Sequence, residues 1–244
     1  MRLTSSEMLA RLVAFPTVVG QPNGELIAFI AAYLEGHGAA VTVLPGPEGD
    51  RSNLFATLGD PGQPGYILSG HVDVVPAQEA GWLANPFALR RDGDRLIARG
   101  AVDMKGFVAC VLAAVPDLAA MRLRAPLHIA ITYDEESGCR GIVHLLKRLP
   151  DLCAPPLGAI VGEPTGMQPV LRHKGKAALR VAAKGIPGHS ARPDLGRNAI
   201  HALVPTLVAA RALAAELAAT GVRDETFAPP CHTVQVGKIG GVFR

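Results

Sequence analysis

The chain has 244 residues, 49% of them hydrophobic and 18% charged, with a formal charge of +3. That is enough apolar material for one large or two smaller domains and unlike a disordered polymer. Basic and acidic residues are interleaved, as in Arg90-Arg91-Asp92-Gly93-Asp94-Arg95, so the basic stripe that a nucleic-acid interface uses is absent from the pattern. The cysteines, Cys110, Cys139, Cys153 and Cys231, are scattered without a Cys-x-x-Cys pair. Neither a zinc ribbon nor a disulfide framework is expected, and reduced thiols in a cytoplasm fit best. Uncharged apolar runs such as Phe107 to Pro116 fall short of the ~20 residues of a membrane span, so no membrane partner is expected.

In chain order, Thr4-Ser5-Ser6-Glu7 is a capping-box pattern rather than a secretion signal, with Met8, Leu9, Leu12 and Val13 forming an apolar stripe behind it. Pro16 closes that helix. A second helix starts at Asn23-Gly24-Glu25, presents Leu26, Ile27, Ile30 and Leu34 on one face, and ends before Gly38. Val41–Val43 and Asn53–Leu58 read as strands. The turn-rich Asp60–Gly65 then precedes Tyr66-Ile67-Leu68, a short buried strand.

That strand runs into Ser69-Gly70-His71-Val72-Asp73-Val74-Val75-Pro76. Residues two apart on an extended chain point the same way, roughly 6–7 Å apart, so His71 and Asp73 emerge side by side where the sheet ends. A histidine that binds a metal commonly donates its other ring nitrogen to an acid of this kind. Leu96–Arg99 predicts a further strand, and Gly100-Ala101-Val102-Asp103-Met104-Lys105-Gly106 leads into a small-residue helix that Pro116 should end or bend. Leu127–Tyr133 is a strand ending in Asp134-Glu135-Glu136-Ser137-Gly138. A helix covers about 141 to 149, and Ala159–Val161 is a strand ending at Gly162-Glu163-Pro164-Thr165.

Strands alternating with helices predict an α/β fold, a mostly parallel mixed sheet covered by helices on both faces. In such sheets ligands bind beyond the carboxyl ends of the strands, and His71, Asp103, Glu135, Glu136 and Glu163 all follow strand-like runs. So many acids at one sheet edge repel each other unless cations sit among them. One histidine with several carboxylates suits zinc, cobalt or manganese. Of two adjacent glutamates, one can bind metal while the other serves as a base. After Lys176 the style changes. Ala177–Lys184 and His232–Gly237 read as strands, and an Ala/Leu-rich helix runs from about Asn198 to Leu217. The expected domains are 1–176 and 177–244.

The His71, Asp103, Glu135-Glu136 and Glu163 stretches, in this order, resemble the co-catalytic zinc peptidase and deacylase family. The resemblance implies a zinc-exopeptidase-like catalytic domain holding two divalent ions, zinc first, with cobalt or manganese as alternatives. It implies that His71 and Glu163 bind one ion, Glu136 the other, and Asp103 both. Glu135 would be the general base and Asp73 would orient His71. Gly188-His189-Ser190 resembles the family's lid-domain histidine, which polarises the scissile carbonyl across a homodimer. His173–Lys176 and Trp82–Phe87 are most similar to the branch that removes acetate from N2-acetyl-L-ornithine in arginine biosynthesis. The alternatives are the branches that remove succinate from succinyl-diaminopimelate or act as carboxypeptidases. Arg192, Arg197 and Lys174 are candidate partners for a substrate carboxylate.

Two metals of three ligands each, sharing one, need five. The family's fifth is a late histidine that no residue up to Arg244 matches, and its lid carries further strands. The expectation is a chain shortened at its C-terminus, holding only the first half of a small α+β lid. A catalytically inactive fragment is the alternative of another class.

Overall fold

The computed structural model describes residues 2–78 and 80–240. They form two compact units, 1–168 and 169–244.

The first unit is built on a five-stranded sheet. Its strands are β1 (Ala40–Pro45), β2 (Ser52–Leu58), β3 (Tyr66–His71), β6 (Leu127–Thr132) and β7 (Gly158–Val161), in the order β1-β2-β6-β3-β7. A separate hairpin pairs β4 (Arg90–Asp92) with β5 (Arg95–Ile97). The main sheet is mixed. β1 with β2 and β2 with β6 are antiparallel, while β3 is parallel to both β6 and β7. The parallel part is the part that matters for the site, because it sends three neighbouring carboxyl ends to one edge.

The side-chain alternation along the strands sorts the core into two layers. On one face Leu54, Ala56 and Leu58 of β2 and Ile129 and Ile131 of β6 meet helices α1 (Ser5–Val13), α2 (Gly24–Glu35) and α3 (Gly106–Ala120). On the other, Phe55, Ile67 and Ala130 meet Leu145 of α4 (Ile142–Leu152) and Cys153. Helices therefore cover both faces, and the central strands β2 and β6 are buried along nearly their whole length.

Local signals explain most boundaries. Thr4 and Glu7 form the reciprocal capping box at α1, with Thr4 N–H donating to Glu7 Oε2 at 2.8 Å. Asn23 precedes α2 without capping it; its side chain bonds both backbone groups of Ser52 at 2.9 Å and pins the start of β2.

Two expectations fail. Pro116 does not end α3, which runs on to Ala120. A proline ring removes one helical N–H but its φ suits the helix, and here the surrounding turns bury Val111, Leu112 and Val115. In the second unit, 177–184 and 232–237 are not strands. A strand is held by its ladder, not by its own propensity, and these runs find no ladder among the described residues: Leu179 and Val181 stay exposed, and the unit's bridges are isolated, Ile186 with Arg197 and Arg223 with Cys231.

The expected helix does form, as α5 (Ala199–Thr220), with Asn198 Oδ1 capping the N–H groups of Ile200 and His201. Counting only uninterrupted apolar runs missed its overall character. Its 22 residues, with mean hydropathy 1.5 over the best window, are long and apolar enough to cross a bilayer, a test that core helices of water-soluble proteins also pass. The four cysteines are free.

Candidate metal centre

The parallel register brings the donors together. His71, the last residue of β3, lies beside Thr132 of β6, and Ser69 lies beside Val161 of β7. Two residues beyond Thr132 begins Asp134-Glu135-Glu136, and two beyond Val161 stands Glu163. Asp103 enters from the other side, in the wide irregular turn Ala101–Lys105 that precedes α3. Gly100 makes that turn possible. Its φ is +76°, and a Cβ there would run into the Val74 side chain, so a glycine is required on both counts.

His71 is 2% exposed, and its Nε2 faces a ring of carboxylates. Asp103 Oδ1 is 3.0 Å away, Glu163 Oε1 3.8 Å and Glu135 Oε2 3.9 Å. On the other side of the ring, Nδ1 lies 2.9 Å from the backbone oxygen of Asp73 and 3.5 Å from its carboxylate. The expected acid therefore does stand at the second ring nitrogen, but the shorter bond goes to its carbonyl. The Asp73 carboxylate has a further task, accepting the backbone N–H groups of Glu135 and Glu136 at 3.1 Å each. It thereby fastens the glutamate turn to the end of β3.

This arrangement fits a cation. With Nδ1–H donating to a carbonyl, the Nε2 lone pair faces the Asp103 carboxylate, and two acceptors 3.0 Å apart need a proton or a metal to reconcile them. Without a metal the proton does so. Burial works against the imidazolium, yet Asp73 and then Glu163 carry the ring up to about 9. The carboxyls of Glu136 and Glu163 are both pushed up, by burial first and by neighbouring acids such as Asp103 and Glu135. A bound cation would relieve that crowding. Two donor groups each have one ligand atom per residue within 4.8 Å of the others: His71, Glu135 and Glu163, and His71, Asp103 and Glu136. All donors are nitrogen or oxygen, the set that suits zinc, cobalt or manganese.

Sequence reasoning passed over the residues that hold this edge together. Asp134 is buried in the left-handed region, φ +54°. It accepts the Gly20 N–H at 2.9 Å and pairs with Arg51. Lys105 is fully buried beside Asp103, its amine held down to about 7 by that burial while Asp73 opposes the fall. A lysine inside an otherwise apolar stretch, Met104 to Val108, was the available signal.

His189 belongs to the second unit, where its Nδ1 accepts the Ala191 N–H at 3.1 Å within a local turn. Two of the candidate carboxylate partners are engaged locally. Arg192 grips Asp194 through two nitrogens, and Lys174 Nζ donates to the backbone of Pro229 and, at 2.8 Å, of Cys231.

A helix-covered sheet whose edge gathers one imidazole and several carboxylates defines a candidate metal centre. The model of Peptidase family M20/M25/M40 matches residues 67–235, and the chain belongs to that family. It is 34% identical over 245 residues to an acetylornithine deacetylase of Proteus mirabilis, covering 98% of this chain and 62% of that one. It is 35% identical over 243 residues to the acetylornithine deacetylase of Salmonella typhimurium, covering 96% and 62%. The chain thus spans less than two thirds of the relatives it matches. Human carnosine dipeptidase 1 superposes with a TM-score of 0.55 at 26% identity, over 64% of this chain and 38% of that one. An M20 family metallo-carboxypeptidase from Sulfolobus solfataricus has the same fold, with a TM-score of 0.56 at 22% identity, over 65% and 37%.

Proposed function

We propose that the first unit houses the centre of a two-metal amide hydrolase that removes the acetyl group of N2-acetyl-L-ornithine, giving L-ornithine and acetate. The observation that carries the hydrolase reading is the convergence of His71, Asp103, Glu135, Glu136 and Glu163 at one sheet edge, in two overlapping donor groups that share His71. The substrate follows the names of the similar proteins, acetylornithine deacetylases over nearly the whole of this chain.

In this reading His71 and Glu163 would hold one ion and Glu136 the other, with Asp103 available to both. When bound, such ions polarise the scissile carbonyl and make a water acidic near neutral pH. Glu135 receives the proton from that water on its carboxylate and delivers it to the nitrogen of the leaving amine. Asp73 fixes the tautomer of His71 through Nδ1 and holds the backbone of Glu135 and Glu136, so the base and the ligand keep their separation. His189 is assigned to the carbonyl oxygen of the substrate, supplied across a homodimer formed by the second unit. That role rests on the Gly188-His189-Ser190 pattern. A cytoplasmic location belongs to the same proposal.

The test is a substrate panel on the zinc-loaded chain: N2-acetyl-L-ornithine, N-succinyl-diaminopimelate, an N-acyl dipeptide and carnosine. Preferential release of acetate from the first supports the reading. A preference for the dipeptides would move the assignment toward the peptidases whose fold the chain shares. No turnover with any of them, at full metal occupancy, would refute it.

A further inference from the structure

Phe15–Gly20 contains no titratable group and no metal donor, yet it bonds to three of the segments that do. Thr17 is buried, and its hydroxyl donates to the carbonyl of Val72 at 2.5 Å. The Thr17 carbonyl accepts the Val74 N–H at 3.0 Å, and the Val19 N–H donates to the Val74 carbonyl at 2.9 Å. Val18 and Val74 make a short parallel bridge. Asp73 is thus bracketed from both sides by bonds to this stretch. Lys105, two residues beyond Asp103, sends its ammonium to Phe15 O at 2.8 Å and to Leu12 O at 3.1 Å. At the far end, the Gly20 N–H donates to Asp134 Oδ1 at 2.9 Å, one residue before Glu135.

We infer that Phe15–Gly20 is the positioning element of the metal centre, a tether that sets the mutual distance of the His71–Asp73, Asp103 and Glu135–Glu136 loops, with Thr17 its principal positioning residue. The inference rests on the metal reading above. Its physical basis is that donor loops belonging to different strand ends have no reason to keep a common spacing unless something binds them all. β3, β6 and β7 set the heights of their ends through the ladder, but the loops beyond the ladder lie outside that control. Removing the Thr17 hydroxyl leaves the buried Val72 carbonyl short of a donor and frees the stretch between His71 and Val74. Partners of this kind outside the ligand set typically change metal affinity by about 10–100-fold.

The experiment is Co2+ titration of the full chain, read by visible absorption, which reports ligand geometry, together with thermal unfolding of the metal-free chain. Thr17→Val is expected to weaken Co2+ binding about 10–100-fold and to alter the spectrum, and Thr17→Ser to restore both. Thr57→Val is the control. It removes another buried hydroxyl of the same sheet, one that bonds His128 at 2.9 Å away from the site, and should destabilise the fold while binding Co2+ like the unaltered chain. Lys105→Met cuts a different arm of the tether and should weaken binding similarly, which keeps the idea testable if Thr17→Val does not fold. Unchanged affinity and spectrum in both Thr17→Val and Lys105→Met, or equal weakening in Thr57→Val, would overturn it. Failure of the unaltered chain to bind Co2+ at all would overturn the metal reading, and this inference with it.

Discussion

Glu135 and Glu136 are neighbours in different surroundings, and each belongs to a donor group with His71. Both backbone N–H groups are held by Asp73, so the two side chains leave one fixed turn in different directions. Glu136 forms a donor group with His71 and Asp103, whereas Glu135 forms one with His71 and Glu163 and also accepts a weak bond from the Cys139 thiol at 3.4 Å. If Glu135 moves the proton, Glu135→Gln should keep its metal content nearly unchanged while turnover falls about 10²–10⁴-fold. Glu136→Gln should lose metal. Metal analysis of the two purified variants beside their kcat decides the matter, since equal metal loss in both would reverse or merge the roles.

At the scale of elements, the strands carry a second buried titratable group, with no part in the chemistry. His128 on β6 is fully buried, stacks on Phe55 with ring centroids 5.3 Å apart, and shares a hydrogen with the Thr57 hydroxyl; its Nε2 has no partner. Burial disfavours its cation and lowers its pKa. Above the unfolded value of 6.5 the ring is neutral in both states and contributes nothing to the pH dependence. Below it the unfolded chain takes up a proton that the native fold refuses, so stability falls with pH by up to about 1.4 kcal/mol per unit from this group. The urea midpoint of His128→Gln should therefore decline less steeply than that of the unaltered chain between pH 6.5 and 5. Parallel declines would show that the ring titrates freely.

β6 also shows what a sequence can and cannot disclose. Its alternation, its exit into Asp134-Glu135-Glu136 and the Thr4 box of α1 were legible because each is a local pattern with a local cause. So was the gathering of His71, Glu135, Glu136 and Glu163, because strand ends in an α/β sheet are where ligands gather; Asp103 comes instead from the turn before α3. The tether from Thr17 to Val72 and the Arg51–Asp134 pair span 55 and 83 positions. Nothing in a threonine or an arginine marks a bond to so distant a partner. The strands expected at 177–184 and 232–237 failed for a related reason, since a β-strand needs a neighbour that its own residues do not specify.

At the scale of the whole molecule, the sheet of the first unit has two unpaired edges among the described residues, β1 and β7. β7 pairs only with β3, and Ile160 and Val161 are more than half exposed, at 57% and 58%. An exposed apolar edge recruits further strands. Ile160→Lys should reduce concentration-dependent association in sedimentation velocity without changing the far-UV spectrum. If it did not, the edge would not be the surface through which copies associate.

The β7 edge bears on handling; the metal bears on the fold itself. The donors lie beyond β3, β6 and β7 and before α3, so a cation bound by them ties together segments from 71 to 163. Any ligand that binds only the native state stabilises it by mass action, about 2.7 kcal/mol at a concentration 100 times its Kd. For a chain of this size that should raise Tm by roughly 5–10 °C. The sole tryptophan, Trp82, lies in the first unit, so its fluorescence follows the unit that holds the site. Zinc should raise the transition seen by Trp82, a chelator should reverse the rise, and His71→Gln, which removes the donor shared by both groups, should abolish it. A Tm insensitive to zinc in the unaltered chain would mean that these carboxylates gather without a cation to hold.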